Sequence, residues 1–228
     1  MSAKRSTGAL NPENIIETTR SFEHWFEEHW KQVAAWVGVA VALVLAFYAF
    51  RGWSDSRIAR TQAQLDEGLS RFAAAVDPGA DRDAAYADAL ASFESAAKGS
   101  GGASDVAEFY RGLTLLRLNR PEEAIAALEQ AASGADAPIV AKGARSALVQ
   151  AYLSMDRRDD ARATLQSLAE GEDAYAAQAL LTLAGLDARA GDTASAEASY
   201  RQVIERFPNS PLASVAQREL PAANVGIE

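Results

Sequence analysis

The pattern of apolar and polar positions changes once along the chain, near residue 51. From Gln32 to Phe50 no residue is charged, and apolar side chains would occupy every face of a helix. A helix of that length covers roughly 28 Å, which is close to the hydrocarbon thickness of a bilayer. The pattern therefore predicts a transmembrane anchor at 32–51. It disfavours the core helix of a soluble protein. A cleaved signal peptide is also disfavoured, because no small-residue cleavage site follows before Arg51.

The segment SFEHWFEEHW (21–30) places its aromatic residues on one helical stripe that leads into this anchor. The segment is also rich in histidine and glutamate, but His24 and His29 are five positions apart. Two helical residues that share a metal are usually three or four positions apart, so a metal site is disfavoured. An aromatic belt at the membrane interface accounts for the segment. We assign the following residues to that belt: Trp25, Phe26, Trp30 and, beyond the anchor, Trp53.

Beyond the anchor, the chain is rich in Ala, Leu, Glu and Arg, with short Gly or Asp breaks, which is an all-α composition. Three stretches align on a turn residue, an alanine five positions later and a large apolar residue four after that. They are Asn119/Ala124/Leu128, Asp156/Ala161/Leu165 and Gly191/Ala196/Tyr200, with a vestige at Ala89/Phe93. The alanine spacings are 35, 37 and 35. Periods near 34 predict tetratricopeptide-like (TPR-like) helix–turn–helix repeats in an α-solenoid. An ordinary antiparallel bundle is the alternative.

The spacing has a physical reason. The second helix of each repeat needs a small residue where it crosses the first, and a bulky one a turn later on the same face. The turn residue must tolerate a left-handed backbone, which suits Asn119 and Gly191. First helices are then expected at about 105–118, 141–154 and 176–189. Ser210 and Pro211 should cap and open a closing helix.

A connecting segment lies between the anchor and the repeats. Leu65, Leu69, Phe72 and Val76 form one apolar seam. We expect this seam to pack on the first repeat, and a coiled-coil dimer is the alternative. A turn is expected at 77–83 and a loop at 98–105. The predicted domains are an N-terminal segment 1–31, the anchor 32–51, a connecting helix 52–80, the TPR-like domain 81–220 and a tail 221–228.

Composition excludes several kinds of chemistry. The net charge is −9, and no basic stripe follows the anchor, which argues against nucleic acid as a partner. The chain has no cysteine, and both histidines precede the anchor, so the body lacks the residues of nucleophilic triads and of common zinc sites. Adjacent carboxylates such as Glu122 and Glu123 diverge on a helix. We expect neither enzymatic activity nor a cofactor or metal.

Arrays of this kind usually bind protein partners in the groove that their first helices line. Some arrays place Lys and Asn there to hold a terminal carboxylate, whereas Val106, Phe109, Tyr110 and Leu113 occupy the first repeat here. A largely apolar groove suits extended or unfolded chains, although packing between repeats would explain the same residues. The candidate groove residues are Phe109, Tyr110, Leu113, Leu116, Gln150, Leu153, Gln178 and Leu181.

The layout resembles that of the YfgM-like ancillary subunits of the SecYEG translocon. The resemblance is carried by WFEEHWKQVAAWVGVAVALVLAFYAFRGW (25–53), RTQAQLDEGLSRFAAAV (60–76) and the repeats. It implies a single-pass protein of the bacterial inner membrane with a cytoplasmic N-terminus and a periplasmic body. The implied partners are translocon subunits, periplasmic chaperones and exported chains. The flanking charges, by contrast, favour a cytoplasmic body by one positive residue.

The last repeat points to a second function. ASYRQVIERFPNSPLASVAQREL (198–220) is similar to the TPR units of outer-membrane-assembly and Tol-Pal coordinator proteins. Two functional hypotheses follow from the sequence. The first is a non-enzymatic adaptor that assists exported proteins. The second is a structural scaffold of an envelope complex, of the Tol-Pal, cell-division or outer-membrane-assembly type, which binds no client.

Overall fold

The structure is a computed structural model that describes residues 12–223, with side chains described from Trp30 onward except Val33 and 221–223. Within this range the chain is helical and has no strand. The helices are α1 (Pro12–Ala74), α2 (Arg82–Ala97), α3 (Gly102–Arg117), α4 (Pro121–Gly134), α5 (Pro138–Ser154), α6 (Arg158–Ala169), α7 (Ala174–Ala190), α8 (Thr193–Arg206) and α9 (Pro211–Ala223). The chain divides into two compact units, Met1–Asp55 and Ser56–Glu228.

The N-terminal unit contains the apolar part of α1. The described side chains between Trp30 and Trp53 are all exposed, and Trp36 reaches 74% exposure. By length and composition, the helix from Trp30 to Ala74 fits a membrane span, with a mean hydropathy of 2.4 in its most apolar window. A signal sequence would meet the same criterion. Of the residues assigned to the aromatic belt, Trp30 and Trp53 are exposed, whereas the side chains of Trp25 and Phe26 lie outside the described residues.

The second unit contains the repeats, and their turns match the expectation. Asn119, Asp156 and Gly191 have φ angles of 55°, 56° and 80°, in the left-handed region. Asn119 and Asp156 are the only non-glycine residues with positive φ in the described part of the chain. Each of the three follows a first helix (α3, α5 or α7), and these helices lie within three residues of the predicted bounds. The predicted helix–turn–helix register is therefore confirmed.

Alanine and leucine build the core of this unit. The expected repeat-packing residues are all buried: Ala89, Phe93, Ala124, Leu128, Ala161, Leu165, Ala196 and Tyr200. Their packing is close because small residues face large ones. A Cβ placed on Gly112 of α3 would lie 2.5 Å from Cγ of Leu128 on α4, so the missing side chain lets these two helices approach. Each helix from α2 to α9 packs on the next along the chain.

The connecting segment follows the seam prediction except at its end. Leu65 is buried, and Leu69 and Phe72 pack on the aromatic and alanine cluster of α2 and α3. The ring centroid of Phe72 lies 6.4 Å from that of Phe93. Val76 was predicted to complete the seam and does not, because α1 ends at Ala74 and Val76 is 68% exposed beyond that end.

The loop expected at 98–105 and the turn expected at 77–83 both differ from the structure in their bounds. The expected cap of the closing helix agrees with it. The loop expected at 98–105 is wrong in its second half, because α3 begins at Gly102, directly after Gly101 with φ 86°. The turn expected at 77–83 is shifted by two residues and spans 75–81. Its last residue, Asp81, caps α2 by accepting a hydrogen bond from the backbone N–H of Ala84 at 3.2 Å. Ser210 caps α9 as expected, with its Oγ 3.2 Å from the backbone nitrogen of Leu212.

Candidate protein-binding surface

The first helices of the three repeats lie side by side. α5 packs on both α3 and α7, in addition to the second helices that neighbour it along the chain. All eight candidate groove residues lie on α3, α5 or α7. Two cavities open beside the C-terminal half of α5, where the left-handed turns end the first helices. The residues that line these two cavities form the candidate binding surface.

The first cavity gathers three of the candidate groove residues. Leu113 and Leu116 of α3 face Gln150 of α5 across a space of about 200 Å³. Its remaining walls come from the end of α3, the turn and the start of α4, and from the last residue of α5. These walls are Arg117, Asn119, Pro121 and Ser154. The cavity therefore combines an apolar side with amide and hydroxyl groups that can hydrogen-bond a peptide backbone.

The second cavity lies one repeat further along and is larger, at about 390 Å³. Leu153 of α5 and Leu186 of α7 provide apolar walls. The other walls are Asp156, Arg158, Arg162, Arg189 and Ala190. Leu153 is the only candidate groove residue among them, so the sequence reasoning missed the arginines. In the repeat register Arg189 corresponds to Arg117 and Ser154, which both line the first cavity, and this correspondence was a signal that could have been read.

The other candidate groove residues take different roles. Phe109 is half-buried and lies beside Gly143 of α5. A Cβ added to Gly143 would lie 3.3 Å from Cζ of Phe109 and 3.4 Å from the hydroxyl of Tyr175. Tyr110 packs inward, with its ring stacked 5.5 Å from that of Phe93. Because its ring face packs on Phe93, Tyr110 is not part of the proposed surface. The remaining two lie on α7 and line neither cavity: Gln178 is exposed and Leu181 is half-buried.

Polar contacts also join neighbouring helices of the repeats. The guanidinium of Arg162 on α6 donates to Asp187 of α7, with Nη2 and Oδ1 2.5 Å apart and Asp187 buried. Lys142 of α5 pairs with Asp173, whose carboxylate also accepts from the first backbone N–H groups of α7. These bonds keep the pKa of the Asp173 carboxyl below its usual value, with the bond from Lys142 the largest cause.

A third contact joins α4 and α5. The hydroxyl of Tyr152 donates to Glu129, with the two oxygens 2.8 Å apart. Burial, followed by the hydrogen bond to this carboxylate, raises the pKa of Tyr152 to about 12. The guanidinium of Arg157 lies over the Tyr152 ring, 4.6 Å from its centroid. The phenol is thus held neutral and fixed at the ordinary working pH of proteins.

One buried ion pair was also missed by sequence reasoning. Glu108 of α3 is 4% exposed and accepts from Nη1 of Arg111 at 2.5 Å, while Nε of Arg111 is buried without a partner. The spacing of three positions on one helix would have suggested the pair, but its burial depends on how α3 packs. Among the described residues no three His, Cys, Asp or Glu side chains converge as a metal site would require.

Two segments match family models described as tetratricopeptide repeat, at residues 111–133 and 178–210. The first covers the end of α3 and most of α4, and the second covers most of α7, all of α8 and the following turn. No curated protein and no solved structure matches the chain significantly. These two segments are therefore similar to tetratricopeptide repeats. The middle helix pair, α5 and α6, lies outside both matches and is joined to them by its spacing and its turn at Asp156.

Proposed function

We propose that this protein is a non-enzymatic, membrane-anchored adaptor of the bacterial envelope that assists exported proteins at the Sec translocon or together with periplasmic chaperones. Tetratricopeptide repeats are modules of protein–protein interaction, and the two matched segments support that class of function. The observation that carries the proposal is the combination, in one chain, of these repeats with an apolar helix whose described side chains are all exposed from Trp30 to Trp53.

The apolar helix supports membrane attachment through its exposed side chains. Leu43, Leu45 and Phe47 are 65%, 64% and 59% exposed. Contiguous apolar surface of this extent requires a nonaqueous environment or a partner. We propose a single-pass orientation with the N-terminus in the cytoplasm and the repeats in the periplasm. Protease treatment of spheroplasts tests this orientation: the repeats should be digested while the outer face alone is accessible. Full protection of the repeats would contradict it.

The repeat surface supports protein binding through the first cavity. Leu113, Leu116 and Gln150 converge there without filling it. Because the cavity pairs apolar contacts with backbone-bonding groups, it suits an extended polypeptide better than a rigid polar ligand. We propose that exported chains, or the translocon and chaperone segments that handle them, contact this surface.

Photocrosslinking in cells tests the partner class. A photoreactive amino acid replaces Gln150 in the full chain, and Arg145 serves as the matched control. Both residues are exposed and lie on α5, about 140° apart around the helix axis. The proposal expects products with translocon subunits, chaperones or exported chains from position 150 and far fewer from position 145. Products containing only division, Tol-Pal or outer-membrane-assembly proteins would instead support the structural scaffold, and only cytoplasmic products would contradict both.

A further inference from the structure

We propose that the second cavity, between α5, α6 and α7, binds a single acidic side chain of an extended partner polypeptide. This inference deepens the proposed function and rests on it, since it names the chemistry of the partner. Three of the residues that line the cavity are arginines, Arg158, Arg162 and Arg189, and one is an acid, Asp156. The chain as a whole has a net charge of −9, whereas three of the four charged residues that line this cavity are basic.

The three guanidinium groups differ in what already holds them. Arg162 is fixed by buried Asp187 on α7 and serves as the rigid part of the site. Arg158 pairs with Asp156 at 2.8 Å, but their side chains are 76% and 80% exposed, so this bond exchanges readily with a competing carboxylate. Arg189 is exposed in the last turn of α7 and forms no ion pair with any residue that the structure describes. The most available cation is therefore Arg189.

The charge balance of the walls favours a carboxylate over a phosphate. Asp156 lies in the wall. The pKa of the Arg162 guanidinium is raised, first by its hydrogen bond to Asp187 and also by the nearby charges of Asp192 and Asp159. These acids would repel a dianion more strongly than a single negative charge. An arginine fork binds a carboxylate through two parallel hydrogen bonds. The site therefore suits one Glu or Asp side chain, with Leu153 and Leu186 beside its aliphatic part.

The neighbouring cavity favours a polypeptide over a small acid. α5 contributes to both cavities, through Gln150 and Ser154 to the first and through Leu153 to the second. An extended chain that crosses α5 can place an acidic residue between the arginines and apolar residues against Leu113 and Leu116. Such a segment would carry one acidic residue flanked by leucines.

Fluorescence anisotropy with the full chain in nanodiscs tests the inference. The probe is a labelled, C-terminally amidated peptide of sequence Ala-Leu-Glu-Leu-Ala, compared with the same peptide carrying Gln or phosphoserine in place of Glu. At low salt, where screening is weak, the Glu peptide should bind about tenfold more tightly than the Gln peptide. Arg189→Ala should remove this difference, and Arg189→Lys should restore part of it.

Arg218→Ala is the matched control, because Arg218 is exposed on α9 and lines neither cavity. It should keep the full preference for Glu. A charge exchange adds a second readout: Arg189→Glu should bind a Lys-containing peptide more tightly than the Glu peptide. Equal affinity for the Glu and Gln peptides would overturn the inference, as would no binding, tighter binding of phosphoserine, or the same loss in Arg218→Ala.

The two proposals fail in different ways. If peptide binding shows no preference for Glu while crosslinks from position 150 still contain export components, the acidic site is wrong and the adaptor function stands. If the Glu preference is found but the crosslinks contain only scaffold proteins of the envelope, the cavity chemistry is right and the export function is wrong.

Discussion

The two units use the same apolar amino acids in opposite ways. Between residues 34 and 50 every described side chain is exposed, including the alanines, whereas Ala124, Ala161 and Ala196 in the repeats are 0% exposed. The difference lies in the polar residues that are interspersed among the apolar residues of each unit. In the repeats, charged residues recur on one side of each helix and leave a single apolar face that a neighbouring helix can cover. In the N-terminal unit no charge interrupts the run, so the helix has no polar face there, and its described side chains are exposed, as the proposed membrane anchor requires.

The strongest test of this comparison places charges in the exposed run. The double substitution Val41→Arg and Leu45→Arg should cost about 6 kcal/mol of membrane insertion free energy, since each arginine near the middle of a span is unfavourable by about 3 kcal/mol. The protein should then leave the carbonate-resistant membrane pellet. The matched control is Val76→Arg, at an exposed valine in the repeat unit, which should stay in the pellet. Retention of the double variant in the pellet would contradict the view that the exposed apolar run inserts into the membrane.

The second test concerns the close packing of α3 on α4 in the core of the repeats. Leu128→Ala should lower the free energy of unfolding by about 3 kcal/mol, because the side chain is fully buried and leaves a cavity. Gly112→Ala should cost about 2 kcal/mol in the wild type, because the new methyl group overlaps Leu128. In the double variant the small cavity accepts that methyl group. Urea unfolding should therefore show a combined loss smaller than the sum of the two, and an additive result would contradict the packing described here.

The third test concerns a polar contact inside the repeats. Tyr152→Phe should lower the free energy of unfolding by about 1.5 kcal/mol near neutral pH, because it removes a hydrogen bond to the carboxylate of Glu129. In the wild type the folded pKa of Tyr152 is raised to about 12, above the ordinary value of 10.0. The stabilisation is therefore complete below pH 10 and is lost as the pH rises from 10 to 12. Unfolding curves measured across that range should fall more steeply in the wild type than in Tyr152→Phe, and parallel curves would count against the contact.

The smallest expected effect is a difference in stability between alanine substitutions at two glycines of the third repeat. Gly191 has φ 80°, so Gly191→Ala should destabilise the protein by about 1 kcal/mol. Gly185 lies within α7, and a Cβ there would meet nothing within 4 Å. Gly185→Ala should stabilise the protein by about 0.5 kcal/mol, because alanine restricts the unfolded chain. Thermal unfolding of the two variants should move in opposite directions, and shifts of the same sign would weaken the assigned turn.

The sequence predicts the repeats well because their determinants are local. The spacing of Asn119, Ala124 and Leu128 reflects a turn and one helix face, and the structure keeps that register in all three repeats. The end of the seam at Val76 is less predictable, since apolar spacing does not state where a helix stops. The second cavity could not be found from local pattern, because Arg158 and Arg162 lie on α6 and meet Arg189 of α7 only through packing. The functional proposals rest on that tertiary arrangement and on the exposed helix.

The closing helix has a consequence for self-assembly. α9 packs on α8 and α7, with Ala213 and Ala216 buried and Leu212 and Leu220 against the core. In a repeat array, each helix pair packs on the next through the same kind of contact. If the last helix pair, α7 and α8, were uncovered, it could therefore bind the first helix pair of another copy. Such a head-to-tail contact does not close on itself, and it would grow into a fibre. By occupying that position within its own chain, α9 would block a head-to-tail contact of another copy with the end formed by α7 and α8.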